Sequence, residues 1–203
     1  MVIKMKTIML TSLGSVLLAL SVLGCNSESS VVSSEDEASL LKQPRVELSS
    51  LSQEEINGLV HMRIEEKLAR DVYTVLGVKW NARVFLNIKL SEQTHMEAVR
   101  RLLNKYGIED PQKTDKVGIF PDEKFQILYD QLIAQGNVSL KEAFLVGVEI
   151  EELDIKDLEH QLTKVVDNID IIRVYTNLKN GSINHLAAFN RNLLNYQIQV
   201  ENE

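Results

Sequence analysis

Phe85, Ile88, Glu92, His95, Val99, Leu102 and Tyr106 follow one another at alternating steps of three and four residues. That period marks one face of an α-helix, and here the face is apolar except at two positions. Glu92 and His95 lie inside the stripe that has to be buried. A Glu-x-x-His unit sets a carboxylate and an imidazole one helical turn apart on the same side. Burying them without a partner is costly, so they must pair with each other or coordinate a metal ion. The chain is therefore constrained to a bundle of helices closed around a polar point, which is how helical bundles build carboxylate–histidine metal sites.

Three further stretches share the period. Leu59, Met62, Glu66, Ala69, Tyr73 and Leu76 form the first stripe, behind a capping box at Ser52 and Glu55. Phe144, Val148, Glu151, Ile155, Leu158 and Leu162 form the third, behind Ser139 and Glu142. Tyr175, Leu178, Ser182, His185, Phe189, Asn192 and Tyr196 form the fourth, starting near Asn168 or Asp170. Gly77 and Gly107 read as stops for the first two helices. The segment 108–138 is broken by Asp110-Pro111 and Phe120-Pro121 and leaves room for a short helix over about 122–134. Long helix, short loop, long helix, long crossover, long helix, short loop, long helix is the order of a ferritin-like antiparallel four-helix bundle. With only three prolines in 203 residues, the composition agrees with long helices.

The N-terminal part reads differently. Lys4 and Lys6 precede an apolar run from Ile8 to Leu23, closed by Val22-Leu23-Gly24-Cys25. This is the pattern of a secretory signal, and Gly24-Cys25 at its end resembles a bacterial lipobox. Residues 1–24 are expected to be a lipoprotein signal peptide, with Cys25 the lipidated residue. The expected location is the cell envelope, with the membrane a partner through the lipid, and Asn26 resembles the outer-membrane sorting pattern if the source has such a membrane. Residues 25–50, Ser-rich and acidic, read as a tether. The folded domain is expected over 51–198. A net charge of −7 with no Lys/Arg cluster argues against nucleic acid as a partner. Cys25 is the one cysteine, which excludes an intrachain disulfide.

The two halves echo each other. Glu65-Glu66-Lys-Leu-Ala-Arg-Asp71 resembles Glu151-Glu152-Leu-Asp-Ile-Lys-Asp157, and Ser91-Glu92-Gln-Thr-His95 resembles Gly181-Ser182-Ile-Asn-His185. Helix pairs carrying equivalent ligands suit a pseudo-twofold dinuclear site. These strings, with Leu128-Tyr-Asp-Gln-Leu132, also resemble the ferritin-like family labelled DUF2202 over about Leu51 to Tyr196. The resemblance implies a rubrerythrin-related bundle with a di-iron or similar dinuclear centre, and it implies no particular reaction.

Candidate metal ligands are Glu66, Glu92, His95, Glu151, Glu152 and His185. Glu65 reads as a solvated acid. Periodicity favours Glu151 and the internal repeat favours Glu152, so both are carried. Ser182 stands where a second Glu-x-x-His unit would have its carboxylate, which invites a water, or Asp154 or Asp157, as a replacement. His61 and His160 fall off the stripes. Oxygen and imidazole donors suit iron, manganese or zinc. The leading expectation is a metal-binding envelope lipoprotein with peroxidase-type or other non-haem iron oxidoreductase activity. A non-catalytic helical interaction module and a metal-sequestering protein are the alternatives. A homodimer is compatible with either.

Overall fold

The computed structural model describes residues 51–202. Its helices are α1 Gln53–Trp80, α2 Arg83–Lys105, α3 Glu123–Gly136, α4 Leu140–His160 and α5 Ile169–Glu201, and a π turn over Gln161–Val165 extends α4. Among the described residues there is no strand. The expected signal peptide, Cys25 and the expected tether over 25–50 lie outside the described residues.

Local chemistry sets the boundaries. The Ser52 hydroxyl accepts the Glu55 N–H at 3.1 Å and the Glu55 carboxylate accepts the Ser52 N–H at 2.9 Å, closing the box at the start of α1. Ser139 caps α4 by accepting the Glu142 N–H, but the Glu142 side chain turns to Gln135 instead of completing a box. Asn168 caps α5. Gly77 does not end α1, contrary to the sequence expectation. A side chain there would sit 2.9 Å from Leu86 and 3.0 Å from Phe85, so this glycine lets α2 approach, and the helix runs on to Asn81 in a left-handed conformation. Gly107, with φ +67°, does end α2, and the Ile108 N–H returns to the Leu103 carbonyl.

Two short connections make α1/α2 and α4/α5 antiparallel hairpins. The crossover 106–139 carries the chain from the end of α2 back along the bundle, so α4 begins beside the end of α1. There Trp80 Nε1 donates to the Gly136 carbonyl at 2.8 Å, and Gly136 packs against Leu76. The result is the expected arrangement, a bundle of four long helices with a short fifth in the crossover. The crossover is fastened to α1 by buried charge. Lys67 Nζ lies 2.5 Å from Asp71 and donates to the Lys116 and Ile119 carbonyls, the Gly118 N–H donates to Asp71 at 2.9 Å, and Arg70 joins Asp71 to Asp115. Held on all sides, α1 is buried at every residue from Met62 to Tyr73.

The apolar core falls into two clusters. One gathers Leu76, Phe85, Phe144 and Phe189 near the end of α1. The other gathers Met62, Leu103, Leu158 and Tyr175 near its start. What separates them is a polar layer.

Candidate metal centre

Every long helix sends side chains to that layer. From α1 come Glu65 and Glu66, from α2 Glu92 and His95, from α4 Glu151 and Asp154, and from α5 Ser182 and His185, all of them buried. His95 Nδ1 lies 3.2 Å from Glu66 Oε2 and 2.9 Å from Glu92 Oε2. His185 Nδ1 lies 2.7 Å from Glu92 Oε1 and 3.5 Å from Glu151 Oε2. The two imidazoles face each other with ring centres 5.6 Å apart. Glu92 thus belongs to two donor groups, Glu66/Glu92/His95 and Glu92/Glu151/His185, each with its ligand atoms within 4.8 Å of one another.

The supporting contacts are equally buried. Tyr73 donates its hydroxyl hydrogen to Glu151 Oε1 at 2.7 Å. Ser182 hydrogen-bonds Asp154 across the α4/α5 interface. Gly181 lets α5 lie against His95, because a Cβ there would meet the ring at 2.7 Å.

These donors fit a cation better than they fit each other. Glu66 Oε1, Glu92 Oε1, Asp154 Oδ1 and His185 Nδ1 are buried without a hydrogen-bond partner. Glu92 Oε1 and His185 Nδ1 are close but not aligned for a hydrogen bond, whereas two ligands about 2.1 Å from one ion are themselves roughly 3 Å apart. Five acids, Glu65, Glu66, Glu92, Glu151 and Asp154, line an enclosed cavity of about 10 Å³, room for one water-sized body. Oxygen and imidazole donors gathered in this way can hold a metal ion.

Electrostatics tell the same story. Burial works against the charged form of His95 and His185, but the acids close to each ring outweigh it. His95 is raised to about 11 by Glu66 and Glu92, and His185 to about 9 by Glu151 and Glu92. Glu92 is opposed by burial, yet the nearby His185 and His95 lower it to about 2. The other acids lack such help. Burial, then the Glu92 charge, raises Glu151 to about 8; Asp154 is raised to about 7 chiefly by burial. Burial and the charge of Asp154 push Glu65 and Glu66 well above the carboxylate range. Without a cation the layer is held together by protons.

Of the six candidate ligands, Glu66, Glu92, His95, Glu151 and His185 converge. Glu152 does not: it is exposed on the far side of α4. Helical period, not the internal repeat, decides between the neighbours. Glu65 is the reverse case, buried where a solvated acid was expected, because α1 has no solvent face at that level. Tyr73 was read as core, and nothing in the sequence signalled its bond to Glu151. On α4 the buried path runs through Gly147 and Asp154. Gly147 makes room for Phe189, which a Cβ would meet at 2.6 Å, and Ser182 draws Asp154 inward.

Residues 55–202 match the family described as an uncharacterized protein domain, DUF2202. The chain belongs to the DUF2202 family. The DUF2202 chain is 52% identical over 159 residues to the uncharacterized protein MJ0754 of Methanocaldococcus jannaschii, covering 78% of this chain and 82% of that one. It also matches the crystal structure of the hypothetical protein MJ0754 from Methanococcus jannaschii, with TM-score 0.71 and 53% identity over 73% of this chain and 84% of the other. The DUF2202 domain is thus an all-helical bundle whose buried Glu and His side chains can form a metal site.

Proposed function

We propose that this protein is a metal-binding envelope lipoprotein whose bundle holds a dinuclear, non-haem iron centre used for redox chemistry on a small oxidant. The observation that carries the reading is Glu92, shared between two buried donor groups. Glu66 and His95 would hold one ion, Glu151 and His185 the other, and Glu92 both. Bound there, a pair of ions would supply electrons, or accept them, in steps the side chains cannot perform.

The protein's own part is binding, protons and exclusion of water. Tyr73 fixes the orientation of Glu151. Asp154 supplies on α4 the carboxylate that Ser182 lacks on α5, and the Ser182 hydroxyl holds it in place. Glu151 and Asp154, raised to about 8 and 7, keep protons near neutral pH and release them when a cation arrives. The cavity of about 10 Å³ has room for one water-sized body and keeps larger reactants out. That small volume also supports sequestration without turnover. Attachment is assigned to a lipid on Cys25 because Gly24-Cys25 closes the apolar run from Ile8 to Leu23.

Elemental analysis of the full chain, expressed without added metal, tests the reading. Two ions per chain in the wild type and none retained in Glu92→Gln are expected. Equal metal content in both would overturn it, and peroxide turnover by the loaded wild type separates an enzyme from a reservoir.

A further inference from the structure

One buried acid of the layer also faces outward. Glu65 lines the central cavity, yet its Oε2 lies 3.5 Å from His61 Nε2, and the same His61 nitrogen lies 3.5 Å from Asp157 Oδ2. The Glu65 side chain is only 4% exposed, and Oε2 has no hydrogen-bond partner. His61 is 45% exposed and Asp157 33%. His61 is not loose: its ring packs on Phe125 of α3 with centres 5.2 Å apart. The three residues come from two helices, α1 and α4, and offer ligand atoms within 4.8 Å of one another. They form a half-open donor set of one imidazole and two carboxylates, with free positions toward water.

We propose that His61, Glu65 and Asp157 form a second, solvent-facing site for a divalent cation, and that ions pass from it by way of Glu65 and Asp154 into the buried centre. The second half rests on the metal-centre reading above; the first does not. The chemistry suits passage. A hydrated ion exchanges its waters stepwise, first for the exposed His61 and Asp157, then for Glu65. Glu65 is already continuous with the acid-lined cavity that also holds Asp154. Two imidazole–carboxylate sets joined by one acid avoid a fully dehydrated ion at any point. The three-donor outer set binds more weakly than the inner layer, as a relay requires.

Co2+ alone serves as probe, by its anomalous scattering and its visible absorption. Crystals of the full chain carrying Glu92→Gln, grown without metal and soaked in Co2+, should show one peak among His61, Glu65 and Asp157. No peak there overturns the site, whatever the buried centre does. For passage, metal-free wild type and the double variant His61→Ala, Asp157→Asn are mixed with Co2+. The variant should load the buried centre slower by about tenfold or more, because a charged funnel raises the capture rate by at least that factor. Its final inner occupancy should match the wild type. Unchanged loading overturns the passage. If the wild type shows no inner ion while the outer peak is present, the site stands and the passage falls with the metal-centre reading. Both substitutions are at partly exposed positions, and circular dichroism on the variant confirms the fold.

Discussion

Glu92 sets one oxygen 2.9 Å from His95 Nδ1 and the other 2.7 Å from His185 Nδ1, and no other acid of the layer lies this close to both. Removing it should abolish both ions, while His185→Leu should remove one and spare the set around His95; ion counts by mass spectrometry under native conditions distinguish these. Tyr73→Phe leaves Glu151 Oε1 without its donor. Losing such an outer contact should weaken metal affinity about 10- to 100-fold, read as a shift in competitive chelator titration, with helix content unchanged. Gly181→Ala should also weaken binding, since the new methyl meets the His95 ring at 2.7 Å, even though alanine is the better helix former. The histidines and Glu92 were legible because they interrupt apolar stripes at helical spacing. Asp154 was legible only as one of several replacements for the carboxylate missing at Ser182, and the burial of Glu65 and the Tyr73 bond to Glu151 were not legible. Each is polar or bulky at a position whose neighbours in sequence give no hint of what the facing helix will present.

At the scale of elements, α1 is the exceptional piece. A two-faced amphipathic helix was expected, but from Met62 to Tyr73 it is enclosed, with Arg63, Glu65, Glu66, Lys67, Arg70 and Asp71 all buried. One-dimensional periodicity sees one partner face at a time. It cannot see the crossover laid over the opposite face, where Lys67 and Asp71 receive the backbone of 116–119. Asp71→Ala would leave Lys67 buried and unpaired, and breaking such a pair costs about 3–5 kcal/mol. Chemical denaturation should show that loss. Proteolysis should cut the crossover first. Helix boundaries were legible wherever a side-chain cap marked them, as at Ser52, Ser139 and Asn168. Gly77 misled because a close helix approach and a helix stop make the same demand for a missing side chain.

At the scale of the whole bundle, the described residues form two apolar clusters joined through a layer crowded with acids. In the metal-free protein the folded-state values of Glu151 and Asp154, about 8 and 7, lie above the unfolded values of 4.5 and 3.8. The folded form therefore holds protons the unfolded form has shed, and stability present below pH 4 is lost as pH rises toward 8. The raised histidines act in the same direction through about 9 and 11. Denaturation midpoints of the metal-free protein should fall between pH 4.5 and 8, by a free energy on the order of a few kcal/mol. Loading with metal should reverse the slope, because cations replace the protons. The bundle and its long crossover were legible from four stripes and two proline breaks. The division of the core into two clusters was not, since it depends on all four helices placing their polar residues at one height.

Diffraction from crystals of metal-replete protein, recorded on both sides of the iron absorption edge, addresses the central claim most directly. Two anomalous peaks are expected, one beside Glu66 and His95, the other beside Glu151 and His185, with Glu92 between them. A layer with no peak, its acids and imidazoles closed into hydrogen bonds with one another, would contradict it.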